Sequence, residues 1–69
     1  MAIISILFDK TKFTTKKARK YLSDNNLKAI KKVHISDRYY RYRINTPIKG
    51  RKYATWSMAT PGVKYIVSL

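Results

Sequence analysis

Apolar and polar residues alternate with a period of two in three stretches of the second half of this chain, and fall at a spacing of three and four in one stretch near the N-terminus. Ile3 to Phe8 is almost continuously apolar and rich in β-branched residues, which predicts a mostly buried first strand. Asp9-Lys10-Thr11-Lys12 is a polar connection. Thr14 then suits a helix N-cap, with Phe13 packing on Ala18 as a staple from the preceding position. Ala18, Tyr21 and Leu22 form the apolar face of that helix. Asn25 and Asn26 end it, because asparagine tolerates the left-handed backbone that follows a last turn.

Four further strands follow. Leu27 to Ile35 reads as a strand with an imperfect period: Leu27, Ala29, Val33 and Ile35 share a face, Lys31 intrudes on it, and Ile30 lies opposite. Ser36-Asp37 is a short turn. Arg38 to Ile44 is the clearest strand, with Tyr40, Tyr42 and Ile44 on one side and Tyr39, Arg41 and Arg43 on the other. Thr46-Pro47-Ile48-Lys49-Gly50 is a loop. Arg51 to Met58 alternates Ala54, Trp56 and Met58 against Tyr53, Thr55 and Ser57. Thr60-Pro61-Gly62 has proline and glycine where a type II turn wants them. Val63 to Leu69 closes the chain, with Val63, Tyr65 and Val67 on one face. The predicted order is β-α-β-β-β-β, an α+β fold in a single domain over residues 1–69. One short helix should cover one face of a largely antiparallel sheet. Tyr40, Tyr42 and Trp56 are expected in the core.

Charge changes this picture more than any motif. The 69 residues carry 16 Lys and Arg against 3 Asp and Glu, a net charge of +13. A domain of this size buries only about 60% of its unfolded surface and is marginally stable. Self-repulsion lowers that stability further, so salt or a polyanion should stabilise the fold. Catalysis is not expected. There is no Cys for a thiolate site, and His34, Ser36 and Asp37 lie within one turn, where they cannot converge as nucleophile, base and orienter. Asp9, Asp24 and Asp37 stand apart, and Gly50 and Gly62 make no phosphate loop. No metal or other cofactor is expected, and His34 reads as an exposed strand residue. The apolar run that ends at Phe8 is far shorter than the ~20 residues that span a bilayer and lacks a basic leader. Membrane insertion is therefore not expected, and the lack of a leader favours an intracellular site of synthesis.

Two clusters point to a phosphate-bearing partner. Lys16 and Lys17 occupy the first helical turn, where the helix dipole prefers acids, and each such cation costs roughly 0.3–1 kcal/mol when exposed. Lys10, Lys12, Arg19 and Lys20 lie close by, so the helix N-terminus reads as a phosphate site. The run Arg38-Tyr39-Tyr40-Arg41-Tyr42-Arg43 puts Tyr39, Arg41 and Arg43 on one sheet face, where guanidinium groups pair with phosphate and a tyrosine ring can stack on a base. The expected nucleic-acid contacts are Lys16, Lys17, Arg19, Lys20, Tyr39, Arg41, Arg43, Arg51 and Lys52.

Phe13-Thr14-Thr15-Lys16-Lys17-Ala18-Arg19-Lys20-Tyr21-Leu22, Lys31-Lys32-Val33-His34, Tyr39-Tyr40-Arg41-Tyr42-Arg43 and Gly62-Val63-Lys64-Tyr65-Ile66 together resemble a small module encoded by tailed phages and large DNA viruses. The resemblance runs from about Phe8 to Val67. It implies a viral origin, a location inside the host cell or in a virion, and an α+β fold, and it carries no settled biochemical role. This chain departs from the module in its scarcity of acids and in Asn25-Asn26, where a glycine often ends the helix. The expected function is a basic nucleic-acid-binding protein that packages or organises viral DNA, with DNA favoured over RNA and little sequence specificity. The alternative is a structural or assembly module of a virion that binds other proteins. Unpaired sheet edges would also permit a homodimer.

Overall fold

A computed structural model of the chain describes residues 2–47 and 49–69. The elements are β1 (Ala2–Asp9), α1 (Thr15–Asp24), β2 (His34–Ile35), β3 (Tyr39–Arg43), β4 (Tyr53–Ser57) and β5 (Val63–Ser68). The five strands form one sheet in the order β2-β3-β1-β5-β4, with every neighbouring pair antiparallel. The α+β fold and the order β-α-β-β-β-β are those predicted. Ile48, inside the predicted loop 46–50, lies outside the described residues.

The N-terminal strand sits at the centre of the sheet, which explains its composition. A central strand is enclosed on both sides, so it reads as a nearly unbroken apolar run. Ile6 and Phe8 face the helix and are buried there with Tyr42, Val63, Ala18 and Leu22. Phe8 is the hub. Its ring centroid lies 5.0 Å from that of Phe13, 5.5 Å from Tyr21 and 5.6 Å from Tyr42, all in tilted or edge-on geometry. Such pairs add about 0.5–1.5 kcal/mol each beyond the area they bury.

The predicted cap and stop of the helix are realised. The Thr14 side chain accepts the Lys17 N–H at 3.2 Å. Phe13, one residue earlier, packs on the core through the rings of Phe8 and Tyr21. At the other end Asn26 adopts φ 56°. Asn26 N–H donates to Ser23 O at 3.1 Å and Leu27 N–H to Leu22 O at 2.8 Å. These two bonds make a Schellman motif, which satisfies carbonyls that a helix end leaves open.

Two expectations fail. The strand predicted from Leu27 to Ile35 shrinks to His34–Ile35. Leu27, Ala29 and Val33 still pack against the core, but as separate plugs of an irregular segment. A regular strand would have aimed Lys31 inward with them, and an unpaired ammonium is not buried. One backbone bond, from Ile30 N–H to Arg43 O at 2.9 Å, ties this segment to the end of β3. The second failure is Trp56, predicted for the core but 41% exposed. It lies on β4, the sheet edge furthest from β3, and is not among the residues packed on the core that α1 shares with the sheet; Tyr42 is buried and Tyr40 half-buried, as their alternation requires.

Candidate nucleic-acid interface

Because α1 covers one face, the alternation of β1, β3 and β5 sends their other side chains to an uncovered face. Cross-strand partners fix which residues meet there. One row across the sheet runs His34, Arg41, Leu7, Lys64, Ser57. The next runs Arg43, Ser5, Ile66, Thr55. Strands are ~4.8 Å apart, so the first row carries three nitrogen-bearing side chains across ~14 Å. Arg41 and Lys64 flank Leu7 on either side, a position in which their stems can cover apolar surface and keep their charges in water.

Tyr39 supplies an aromatic surface at one end of this face. The Lys64 ammonium lies 5.6 Å from the centre of its ring, a cation–π contact. Asp9 stands opposite Tyr39 and is turned into its own loop. Its carboxylate accepts the Thr11 hydroxyl at 2.7 Å and the Thr11 N–H at 2.8 Å. Those two bonds hold the Asp9 carboxyl below its ordinary range, with Lys12 and Lys64 adding to the effect.

At the β2 edge the face deepens into a groove of about 320 Å³ lined by Lys31, Lys32, Val33, His34, Arg41 and Arg43. No acidic residue lines it. The Arg43 Nε–H is buried and makes no hydrogen bond with any described residue. A second, larger groove of about 890 Å³ lies on the helix side of the same edge, where Arg19, Lys28, Lys31 and Lys32 stand with Leu22 and Tyr42. Lys31 and Lys32 line both grooves. Positive charge therefore wraps round the β2 edge from Arg19 to Arg41 and Arg43.

The expected contact residues thus separate into three places. Tyr39, Arg41 and Arg43 share the open face, as the alternation predicted. Arg19 joins them round the edge through Lys31 and Lys32. Lys16, Lys17 and Lys20 are exposed on the helix, which lies on the opposite side of the sheet from the open face. Arg51 and Lys52 precede β4 at the far edge, where the Arg51 guanidinium donates to Leu69 O at 3.4 Å. Sequence reasoning missed Lys31, Lys32, His34 and Lys64 as members of the surface. For Lys64 the signal was present, since alternation about Val63 and Tyr65 puts it on the outer face. The grouping of Lys31 and Lys32 with β3 depends on an irregular segment that no period reveals.

Among the described residues, no helix is long and apolar enough to cross a membrane. No cluster of three or more His, Asp or Glu forms among them that would hold a metal ion. No protein-family model, curated protein or solved structure matches this chain.

Proposed function

We propose that this protein binds the phosphate backbone of nucleic acid across its open sheet face and round the β2 edge, with little base readout. The observation that carries the reading is the grouping of Arg41, Arg43, Lys31, Lys32 and His34 about one groove without an acid, beside Tyr39 and Lys64 on the same face. Alternate residues of one strand stand ~6.6 Å apart, so Arg41 and Arg43 can engage successive phosphates of an extended strand. Each guanidinium offers the two parallel donors that suit a phosphate. The half-exposed Tyr39 ring offers a base a stacking surface that is indifferent to sequence. The role consistent with this chemistry and with the resemblance to virus-encoded modules is packaging or organising DNA.

The test is a binding titration of labelled single-stranded and duplex DNA at increasing salt. Log affinity should fall linearly with log salt, by about 0.9 per phosphate on duplex and about 0.7 on single strands. Arg41→Ala and Arg43→Ala should each weaken binding and lower that slope by about 1. Lys16→Ala with Lys17→Ala, on the far side of the sheet, should do less. Absence of binding at low salt, or equal losses from the two pairs, overturns the reading.

A further inference from the structure

Phosphate binding at Arg41 and Arg43 makes no use of the larger groove, of about 890 Å³, on the helix side. Its walls are the second half of α1, the irregular segment 27–33 and Tyr42 of β3. The segment leaves the helix at the left-handed Asn26 and returns to β3 through the Ile30–Arg43 backbone bond and the two residues of β2.

The lining divides into two chemistries. Leu27, Ala29 and Val33 rest on the core but stay half-buried, and with Leu22 and Tyr42 they make an apolar surface. Arg19, Lys28, Lys31 and Lys32 are exposed and bring the charge, and none of the described lining residues is acidic. A cleft of this volume with apolar walls and a few polar groups is the usual form of a ligand site. Tyr42 is 4% exposed, and its hydroxyl has no hydrogen-bond partner among the described residues. A buried polar group in that state is uncommon and fits a site that a ligand completes. The ligand that suits such walls is apolar in its body and anionic beside it.

We infer that this groove takes an unpaired base of a single strand whose phosphates lie on Lys31 and Lys32, so that single strands are the preferred substrate; the inference rests on the proposed backbone binding. Lys31 and Lys32 line both grooves. A strand that leaves Arg41 and Arg43 meets them next and carries its following base round the β2 edge. Only a flexible strand follows that path. The Cα trace spans 33 × 22 × 20 Å, whereas duplex DNA resists bending over ~50 nm. A base inside a duplex must also be unpaired and unstacked before it enters. Every base has apolar faces, so entry requires no particular sequence.

The test measures the affinity of a short labelled single-stranded DNA against the same strand carrying abasic sites. The two have equal numbers of phosphates, so salt weakens both in parallel and their ratio reports the bases alone. For the wild type the intact strand should bind about tenfold more tightly, the size of one stacking contact. Ala29→Phe fills the groove without changing charge. It should lower that ratio severalfold more than Tyr39→Ala on the open face does, and leave affinity for the abasic strand unchanged. That retained affinity, with circular dichroism, shows the variant to be folded; Ala29→Leu, a smaller filler, should act in the same direction. The intact strand should also displace a duplex of equal length. If neither strand binds at low salt, the backbone reading fails. If both bind equally well, if Ala29→Phe keeps the wild-type ratio, or if duplex binds better at every salt, the groove inference alone is overturned.

Discussion

The hydroxyl of Tyr21 on the helix and that of Tyr65 on β5 lie 3.0 Å apart and bond to each other, 44 residues apart in sequence. Burial, and then the bond to Tyr21, push the Tyr65 phenol up to about 12 from its ordinary 10. The folded state thus favours the neutral phenol. Its contribution to stability is complete below about pH 10 and is lost as pH rises from there toward 12, because the unfolded chain ionises first. In a phenolate absorbance titration one tyrosine should ionise near pH 12 in the native protein. Tyr65→Phe should remove that late step and leave the fold intact. If the late step persists in Tyr65→Phe, the assignment is wrong.

Two glycines with the same backbone angle should respond differently to alanine. Gly50 and Gly62 both have φ 84°, where an L-residue loses about 1–2 kcal/mol. A Cβ at Gly50 would meet nothing within 4 Å, whereas at Gly62 it would stand 3.0 Å from Lys12 Cβ and 3.3 Å from Asp9 Cβ. Gly62 also closes the turn, with Val63 N–H donating to Thr60 O at 3.3 Å and Asp9 N–H to Gly62 O at 2.8 Å. Gly62→Ala should therefore lower the denaturation midpoint more than Gly50→Ala. Equal losses would mean that the contact with the Asp9–Lys12 loop relaxes freely.

The sequence reading and the structure part where side-chain period stops being informative. The helix was legible because its signals are local: the Thr14 cap, the Ala18-Tyr21-Leu22 spacing and the left-handed Asn26 each act within a few residues. The open face was legible from β3 alone, since Tyr39, Arg41 and Arg43 alternate with Tyr40 and Tyr42. The exposure of Trp56 was not legible, because alternation assigns a face and strand order decides whether that face is covered. Strand order puts β4 at the edge, and Trp56 stays outside the core cluster. Residues 27–33 misled for a related reason. Three of their apolar side chains do turn inward, but without the ladder that would make them a strand.

Ser5 and Arg43 are cross-strand partners on the open face, and Ser5 is fully buried there with its hydroxyl unpartnered by any described residue. A buried hydroxyl without a partner costs about 1–3 kcal/mol of desolvation. Ser5→Ala should therefore be neutral or stabilising by about 1 kcal/mol in chemical denaturation. Ser5→Val adds volume beside Arg43 on that face, and overpacking a tight site costs ~1–3 kcal/mol. It should therefore be the less stable variant, with weaker DNA binding if Arg43 is displaced. Destabilisation by Ser5→Ala would show that the hydroxyl has a hydrogen-bond partner in solution.

Net charge makes a prediction about the whole fold. Sixteen cations against three acids repel one another in the compact state more than in the expanded chain, and that repulsion is screened over about 10 Å at 0.1 M salt. Asp9, close to Lys12 and Lys64, offsets only a small part of that repulsion, since the chain has just three acids. The melting temperature should rise with sodium chloride. It should rise further with an equal ionic strength of sulfate, which both screens and is excluded from the surface. A short DNA oligonucleotide at low salt should raise it more still, because a ligand that prefers the folded state stabilises it in proportion to the logarithm of its occupancy. The Arg41→Ala, Arg43→Ala double variant separates the two effects. It removes two repelling charges, so its melting temperature in low salt without DNA should match or exceed that of the wild type, while its gain on adding DNA should shrink. A double variant that gains as much from DNA as the wild type would place the bound strand elsewhere on the molecule.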